Sequence, residues 1–458
     1  MIPESLFLRL NPWLRGGEPE LPAKYIHRRA EIRLGNWTDP ERVVVVSGPR
    51  RSGKSTLMRF MIRKLLQDVP SGRIVYLNAD HVSVRELVSD TSALLDTLEA
   101  LPRGRPDYLF IDEVQRLTEP GLSIKQLVDL GTGIRIAVSG SSSLSVRSQA
   151  REHLVGRKLD VFLPPLSFAE LVMAEPHLAE LAHASFEELR RQWPLAGKGL
   201  LDISDRLAII GGYPDVWLAA GHDQSRERLV ELYDTYVRRD VVDFLRVDDP
   251  APFNRLVRLL ALQVGSGINR ASLAGEAGLS LRELERHLAI LSDTHVSRIV
   301  PPFFTNRRRE IVKSPKVYFI DCGLRNVLLN QLTDIENRPD RGQLTENLVM
   351  SETAKVVPQL AEQHFWRTQA GAEVDLVVLH GDRLAAIEIK SGSLLGRGPS
   401  RGYHSFLRSY SPDLRLLVNR DDFNDPRSGQ PQALPMPVFL LLMERLFENF
   451  RLDDSADA

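Results

Sequence analysis

The sequence predicts an α/β chain whose first part is a parallel sheet covered by helices, and three observations support that expectation. From Arg42 to about Leu163, apolar strand-like runs alternate with helical stretches, as in sheets joined by crossover helices. The run Val43-Val44-Val45-Val46 feeds into Gly48-Pro49-Arg50-Arg51-Ser52-Gly53-Lys54-Ser55, which fits the strand, GxxxxGK[ST], helix pattern of a phosphate-binding P-loop. At 458 residues, one core is too few, and the usual prior is about three domains.

In chain order, residues 1–30 form an N-terminal segment rich in Pro, Gly and Arg without repeat character. Residues 31–165 hold the core, with strands at Val43–Ser47, Arg73–Asn78, Tyr108–Asp112, Arg135–Ser139 and Lys158–Leu163. Between them the periodicity predicts helices over 54–67, 84–98, 122–130 and 143–154. After Pro164-Pro165 the pattern turns helical through 166–248, which suits an α-helical lid. Pro250-Ala251-Pro252 reads as a hinge into 249–335, with helices at 252–265, 270–277 and 280–292 and strands at 296–303 and 310–320. Residues 336–458 open with a helix from Gln343, followed by strands near 364–368, 374–379 and 384–389, helix 400–410, strand 414–418 and a short acidic tail.

The loop at Gly48 predicts binding of a nucleoside triphosphate. Its glycines let backbone N–H groups turn inward, and the helix from Gly53 adds its positive dipole end. Gly48, Pro49, Arg50, Arg51, Ser52, Gly53, Lys54, Ser55 and Thr56 form the expected cradle. Lys54 is expected to reach the β/γ-phosphates and the Ser55 hydroxyl to ligate Mg²⁺.

Tyr108-Leu109-Phe110-Ile111-Asp112-Glu113 is an apolar strand ending in two carboxylates, the layout of a Walker B segment. Asp112 is expected to hold Mg²⁺ through its water shell, and Glu113 to orient and polarise the attacking water. A further buried strand, Arg135 to Ser139, ends in Gly140-Ser141-Ser142. There Ser139 is placed to sense the γ-phosphate, or the serines cap the next helix.

Together with Leu154-Val155-Gly156-Arg157 and Leu163-Pro164-Pro165-Leu166-Ser167-Phe168, these segments resemble a family of prokaryotic AAA+-type ATPases. Its members carry a C-terminal domain of unknown function, and the resemblance runs from about Tyr25 to Asn419. It implies ATP and Mg²⁺ as cofactors. Arg157 stands where an AAA+ arginine reaches a neighbouring subunit's γ-phosphate, implying a homo-oligomer, in one form a ring; the alternative is an exposed Arg in a surface ion pair. Gly211-Gly212-Tyr213-Pro214 resembles a lid element whose proline, here Pro214, packs near the base, although a helix-ending turn uses the same residues.

Leu273, Leu281, Leu284, Leu288 and Leu291 keep helical spacing across two short helices separated by Gly278-Leu279-Ser280. This resembles a helix-turn-helix followed by a hairpin, a winged helix. Its candidate DNA contacts are Arg282 and Arg286 on the second helix and Arg307, Arg308 and Arg309 at the hairpin tip. A solvated charged loop is the competing reading of those arginines.

Asp375 and the later Glu388-Ile389-Lys390 resemble the restriction-endonuclease-like PD-(D/E)xK fold, with Glu346 on the preceding helix as a further acid and Arg367 and Glu373 nearby. Glu388 and Lys390 alternate onto one strand face and a hairpin brings Asp375 to them, so two carboxylates could hold Mg²⁺ beside an ammonium. The same fold also serves as a DNA-binding module.

Composition sets limits on these readings. With 59 Lys+Arg against 60 Asp+Glu, the net charge is −1, so any DNA contact is local and not a whole-molecule field. The single cysteine, Cys322, precludes an internal disulfide framework and suits a reducing compartment. The start lacks a signal-peptide layout, and no apolar run reaches membrane-span length. A cytoplasmic protein that contacts no membrane is expected. The function expected is an ATPase that binds and remodels DNA, in one form branched or junction DNA. An ATP-gated, metal-dependent nuclease and a nucleotide-dependent signalling or defence switch are the alternatives.

Overall fold

The computed structural model describes residues 2–34, 37, 39, 42–141, 156–236, 249–304, 314–357, 360–426 and 429–450. Two compact units result, one of Met1–Pro165 with Asp293–His295, the other of Leu166–Ser292 with Val296–Ala458.

The first unit runs α1 (Glu4–Leu10), α2 (Ala30–Leu34), β1 (Val43–Gly48), α3 (Lys54–Leu65), β2 (Ile74–Asn78), α4 (Val82–Ser89), α5 (Thr91–Glu99), β3 (Tyr108–Asp112), α6 (Pro120–Asp129), β4 (Arg135–Ser141) and β5 (Lys158–Phe162). Its five strands are parallel in the order β2-β3-β4-β1-β5. A parallel sheet is buried on both faces, which explains the near-continuous apolar strands. Val43, Val45, Leu109, Ile111 and Val138 belong to the core on one face. Val44, Val46, Phe110, Ala137 and Val161 belong to the core on the other. The fold class read from the sequence is thus the one observed.

Two local differences have physical causes. The single helix predicted over 84–98 is split, because Asp90 leaves helical geometry and caps α5, its Oδ1 accepting from Ala93 N at 3.1 Å. The N-terminal segment, assigned no element, contains α1 and a 3₁₀ turn at Pro12–Arg15. Buried Asn11 completes the free side of edge strand β2, donating to Tyr76 O at 2.9 Å and accepting from Tyr76 N at 2.7 Å. The predicted helix 143–154 lies outside the described residues.

The second unit begins with α7 (Phe168–Met173), α8 (Phe186–Ile210), α9 (Pro214–Trp217) and α10 (His222–Leu232). It continues with α11 (Ala251–Leu262), α12 (Arg270–Ala277), α13 (Leu281–Asp293), β6 (Ser297–Val300), β7 (Lys316–Phe319) and α14 (Cys322–Leu328). Last come α15 (Arg341–Val356), β8 (Ala361–Arg367), β9 (Glu373–His380), β10 (Arg383–Ile389), α16 (Arg401–Ser409), β11 (Leu414–Asn419), β12 (Gln432–Pro435) and α17 (Met436–Asn449). Strands β6 and β7 form an antiparallel pair. The larger sheet has the order β12-β11-β10-β9-β8, antiparallel from β8 to β10 and parallel from β10 to β12.

Of the stretch expected to be helical after Pro165, the described residues 166–236 are mostly helical, and buried polar contacts tie them to α14. Asp321 accepts from Gly212 N at 2.7 Å and caps α14 through Leu324 N at 3.0 Å. Asn326 Nδ2 donates to the carbonyls of Ala208 and Ile209. A Cβ on Gly211 would lie 2.0 Å from Asp321 Oδ1, and one on Gly212 2.3 Å from Leu166 O. Close packing inside this unit therefore accounts for both glycines.

Candidate nucleotide site

The site grows from the ends of β1, β3 and β4, where parallel strands deliver their C-terminal residues to one edge. At the end of β1, a Cβ on Gly48 would fall 2.2 Å from Leu163 O, so only glycine lets the loop leave the sheet there. Arg51 and Gly53 have φ of 62° and 97°, turning the backbone into α3. Arg28, buried to 6% exposure, braces the loop from outside. Its guanidinium donates to Ser52 O at 2.8 Å and Pro164 O at 2.6 Å.

Inside the loop, Lys54 is 4% exposed and its Nζ donates to Gly48 O at 3.1 Å and Pro49 O at 2.8 Å. Burial lowers its pKa, opposed by the charges of Glu113 and Asp112. Ser52 Oγ is buried without a hydrogen-bond partner. An orphaned donor and a lysine turned back onto its own loop carbonyls fit a cradle whose partner is an anion. Ser55 and Thr56 lie on the first turn of α3.

Asp112 closes β3 with no exposed surface. Its Oδ1 accepts from Glu113 N at 3.0 Å and from the Ser139 hydroxyl, and its Oδ2 from Tyr76 OH at 2.7 Å. Three neutral donors stabilise the carboxylate without cancelling its charge. Glu113 follows in left-handed geometry, φ 56° and ψ 38°, which swings its side chain out of the strand alternation. Burial, then the neighbouring Asp112, raises its pKa. Gln115 holds it by donating to Oε2, and Gln115 Oε1 accepts from Ser141 N at 3.2 Å. Ser139, expected at the γ-phosphate, binds Asp112 here, with its Oγ also 3.5 Å from Glu113 N.

Residues 40–172 match a family described as an AAA domain. The first unit has the fold of an AAA-type P-loop domain. Residues 202–334 and 341–439 match two families described as domains of unknown function. An uncharacterized protein of Mycobacterium tuberculosis is 27% identical over 451 residues, spanning 96% of this chain and 90% of that protein. An uncharacterized protein of Methanocaldococcus jannaschii is 24% identical over 373 residues, 80% of this chain and 78% of its own length. Among solved structures, domain III of the Thermotoga maritima replication initiation protein DnaA is similar with a TM-score of 0.31 and 16% identity, over 48% of this chain and 92% of that one.

Arg157 sits just before β5 and its guanidinium pairs with Asp129 at the end of α6, with 53% of the side chain exposed. Pro214 opens α9 in the second unit. Arg282 and Arg286 are exposed on α13, whose Ser280 hydroxyl and backbone N–H both meet Glu283. Arg307, Arg308 and Arg309 lie outside the described residues.

In the second unit, Glu346, Glu373 and Asp375 each present an oxygen within 4.8 Å of the others. Burial, then the Glu346 charge, pushes Asp375 up to about 7. Glu388 is turned elsewhere, meeting Lys390 Nζ at 2.6 Å and Ser400 N at 2.9 Å. Lys316, which sequence reasoning passed over, enters the cluster from β7. Burial opposes its charge, yet Glu346 and Glu373 hold its pKa above the usual value. Arg28, Tyr76, Gln115 and Tyr318 were missed as well. Only Gln115, two residues past Glu113, carried a local signal. Among the described residues no helix is long and apolar enough to cross a membrane.

Proposed function

We propose that the protein binds ATP with Mg²⁺, hydrolyses it, and couples that cycle to DNA held by the second unit. The observation that carries the reading is the convergence of Lys54, Asp112 and Glu113 at one sheet edge, with Glu113 half-buried and its pKa raised. Backbone N–H groups of residues 50–54 and the Lys54 ammonium bind and orient the phosphates. Ser55 and Asp112 would hold Mg²⁺, which when bound neutralises charge developing on the phosphoryl oxygens. Glu113 orients water and accepts its proton, while Gln115 fixes the direction of that carboxylate. Arg157 completes the site from a neighbouring subunit in a homo-oligomer, in one form a ring, exchanging Asp129 for a phosphate.

Helices α12 and α13 followed by the β6-β7 hairpin support the winged-helix reading. Exposed Arg282 and Arg286, with Arg307, Arg308 and Arg309 that follow β6 in the sequence, are the proposed phosphate contacts. The test is the ATPase rate of the full chain against linear, single-stranded and branched DNA. Stimulation by branched DNA that fades with salt supports the reading. Hydrolysis indifferent to every DNA form, with no DNA bound, would leave a nucleotide-dependent switch. Mixing Arg157→Ala with Lys54→Ala protein should restore turnover, and two inactive proteins that stay inactive together would refute the role across subunits.

A further inference from the structure

The carboxylate cluster of the second unit is built by β9, β10, α15 and the hairpin strand β7. A nuclease of the restriction-endonuclease-like fold needs a divalent cation there, held by ionised carboxylate oxygens at a centre open to water and substrate. The acids that spacing brings together, Asp375 and Glu388, are not arranged for it. Glu388 is 2% exposed. Both of its oxygens approach Ser400 N, at 3.3 and 2.9 Å, and Oε1 meets Lys390 Nζ at 2.6 Å. It is thus engaged at the start of α16 and is absent from the trio of mutually close oxygens.

Two members of that trio, Glu346 and Glu373, already pair with a cation. The Lys316 side chain is 2% exposed, and its ammonium lies 2.9 Å from Glu346 Oε1 and pairs with Glu373 Oε1. Tyr318, two residues along the same strand, donates to Glu346 Oε1 at 2.5 Å. The second Glu373 oxygen lies 3.6 Å from Arg367 Nε. Asp375 Oδ2 accepts from Ile389 N at 2.7 Å. Lys316 is held in place independently: its backbone belongs to the β6-β7 pair through Val300 and bridges Gly267, and its Nζ lies 5.0 Å from the Phe365 ring centroid. A buried ammonium needs partners, and removing them would leave an uncompensated charge. The donor set therefore fits a lysine and does not fit a metal.

We infer that Lys316 is the resident cation of this cluster, and that the C-terminal sheet is not a metal-dependent nuclease. This goes beyond the reading of the nucleotide site and does not depend on it, since the two cation positions involve different residues. The decisive experiment titrates Mn²⁺ into nucleotide-free full-length protein and follows the free-ion paramagnetic resonance signal. Wild type and Asp375→Asn should bind Mn²⁺ indistinguishably. Lys316→Ala should gain a site at least about tenfold tighter, a difference of about 1.4 kcal/mol, and Lys316→Ala/Asp375→Asn should lose it. A wild-type Mn²⁺ site weakened tenfold or more by Asp375→Asn overturns the inference, as does a folded Lys316→Ala protein that gains no site. If Lys316→Ala does not fold, the comparison of wild type with Asp375→Asn decides alone. Nicking of supercoiled DNA supplies an independent readout, and Mn²⁺-dependent nicking lost in Asp375→Asn would equally overturn it.

Discussion

Tyr76→Phe removes one oxygen from a strand interior and leaves the ring in place. Its consequence follows from the surroundings of Asp112, which has no exposed surface and accepts from Tyr76 OH, Ser139 Oγ and Glu113 N. Without the hydroxyl, Oδ2 loses its 2.7 Å donor at a position closed to replacement water. Hydrogen bonds to charged groups contribute about 1.5–3 kcal/mol, so the first unit should lose about 2 kcal/mol of stability. For a domain of this size that corresponds to a melting temperature about 4–8 °C lower. Urea unfolding, followed by the fluorescence of Trp13 and Trp37 in that unit, gives the magnitude. A double-mutant cycle gives the cause: in an Asp112→Ala background the same change should cost under about 1 kcal/mol. A loss below about 0.5 kcal/mol, or an equal loss in both backgrounds, would refute the reasoning.

Further outcomes follow from the same structure. Glu113→Gln should bind a fluorescent ATP analogue as wild type does but not turn ATP over; wild-type turnover would remove Glu113 from its role. With Glu113 in its proposed role as the base and its pKa raised above 4.5, wild-type rate should fall with decreasing pH at a midpoint above that value. The Cys322 thiol, buried and pushed up to about 12, should react with Ellman's reagent only after denaturation; rapid native labelling would contradict its placement. Burial works against the Asp340 carboxylate, but hydrogen bonds from Arg338 and Arg325 hold its pKa at about 2, below the usual 3.8. Its stabilisation should thus be full above the usual value and fade as pH falls toward 2. The gap in unfolding free energy between wild type and Asp340→Asn should accordingly narrow on acidification, and a constant gap would sink this assignment.

The parallel sheet was legible because each strand announces itself locally. Val43 to Val46 and Tyr108 to Ile111 are apolar over their whole length, as strands buried on both faces must be. The loop at Gly48 was legible for the same reason, its tight turn and its lysine lying within eight residues. Tyr76 was not, because its role depends on the register that sets Tyr76 beside Phe110 and Asn78 beside Asp112; within its own strand it reads as one more apolar residue. The split between α4 and α5 turned on whether Asp90 would stay helical or cap, and a short side chain that competes for backbone N–H groups took the cap. Strand β12 and helix α17 escaped notice because Pro435 and Pro437 lead into a continuous apolar run in which the helical period is hidden.

The carboxylates of the two units show why acid spacing alone does not define a metal site. Period-two alternation places Glu388 and Lys390 on one strand face, but buried charge must be compensated wherever the tertiary fold brings a partner. Asp112 is served by a phenol, a hydroxyl and a backbone amide, all neutral, so its negative charge remains available to a cation. Lys54 Nζ meanwhile bonds to the carbonyls of Gly48 and Pro49. Glu346 and Glu373 are served by Lys316, 30 residues from Glu346 in the chain, and an ammonium cancels the field that would draw a metal in. Neutral donors thus preserve a carboxylate for cation chemistry and a buried lysine commits it to structure. That distinction, invisible in the spacing of the acids, separates the candidate nucleotide site from the carboxylate cluster of the second unit.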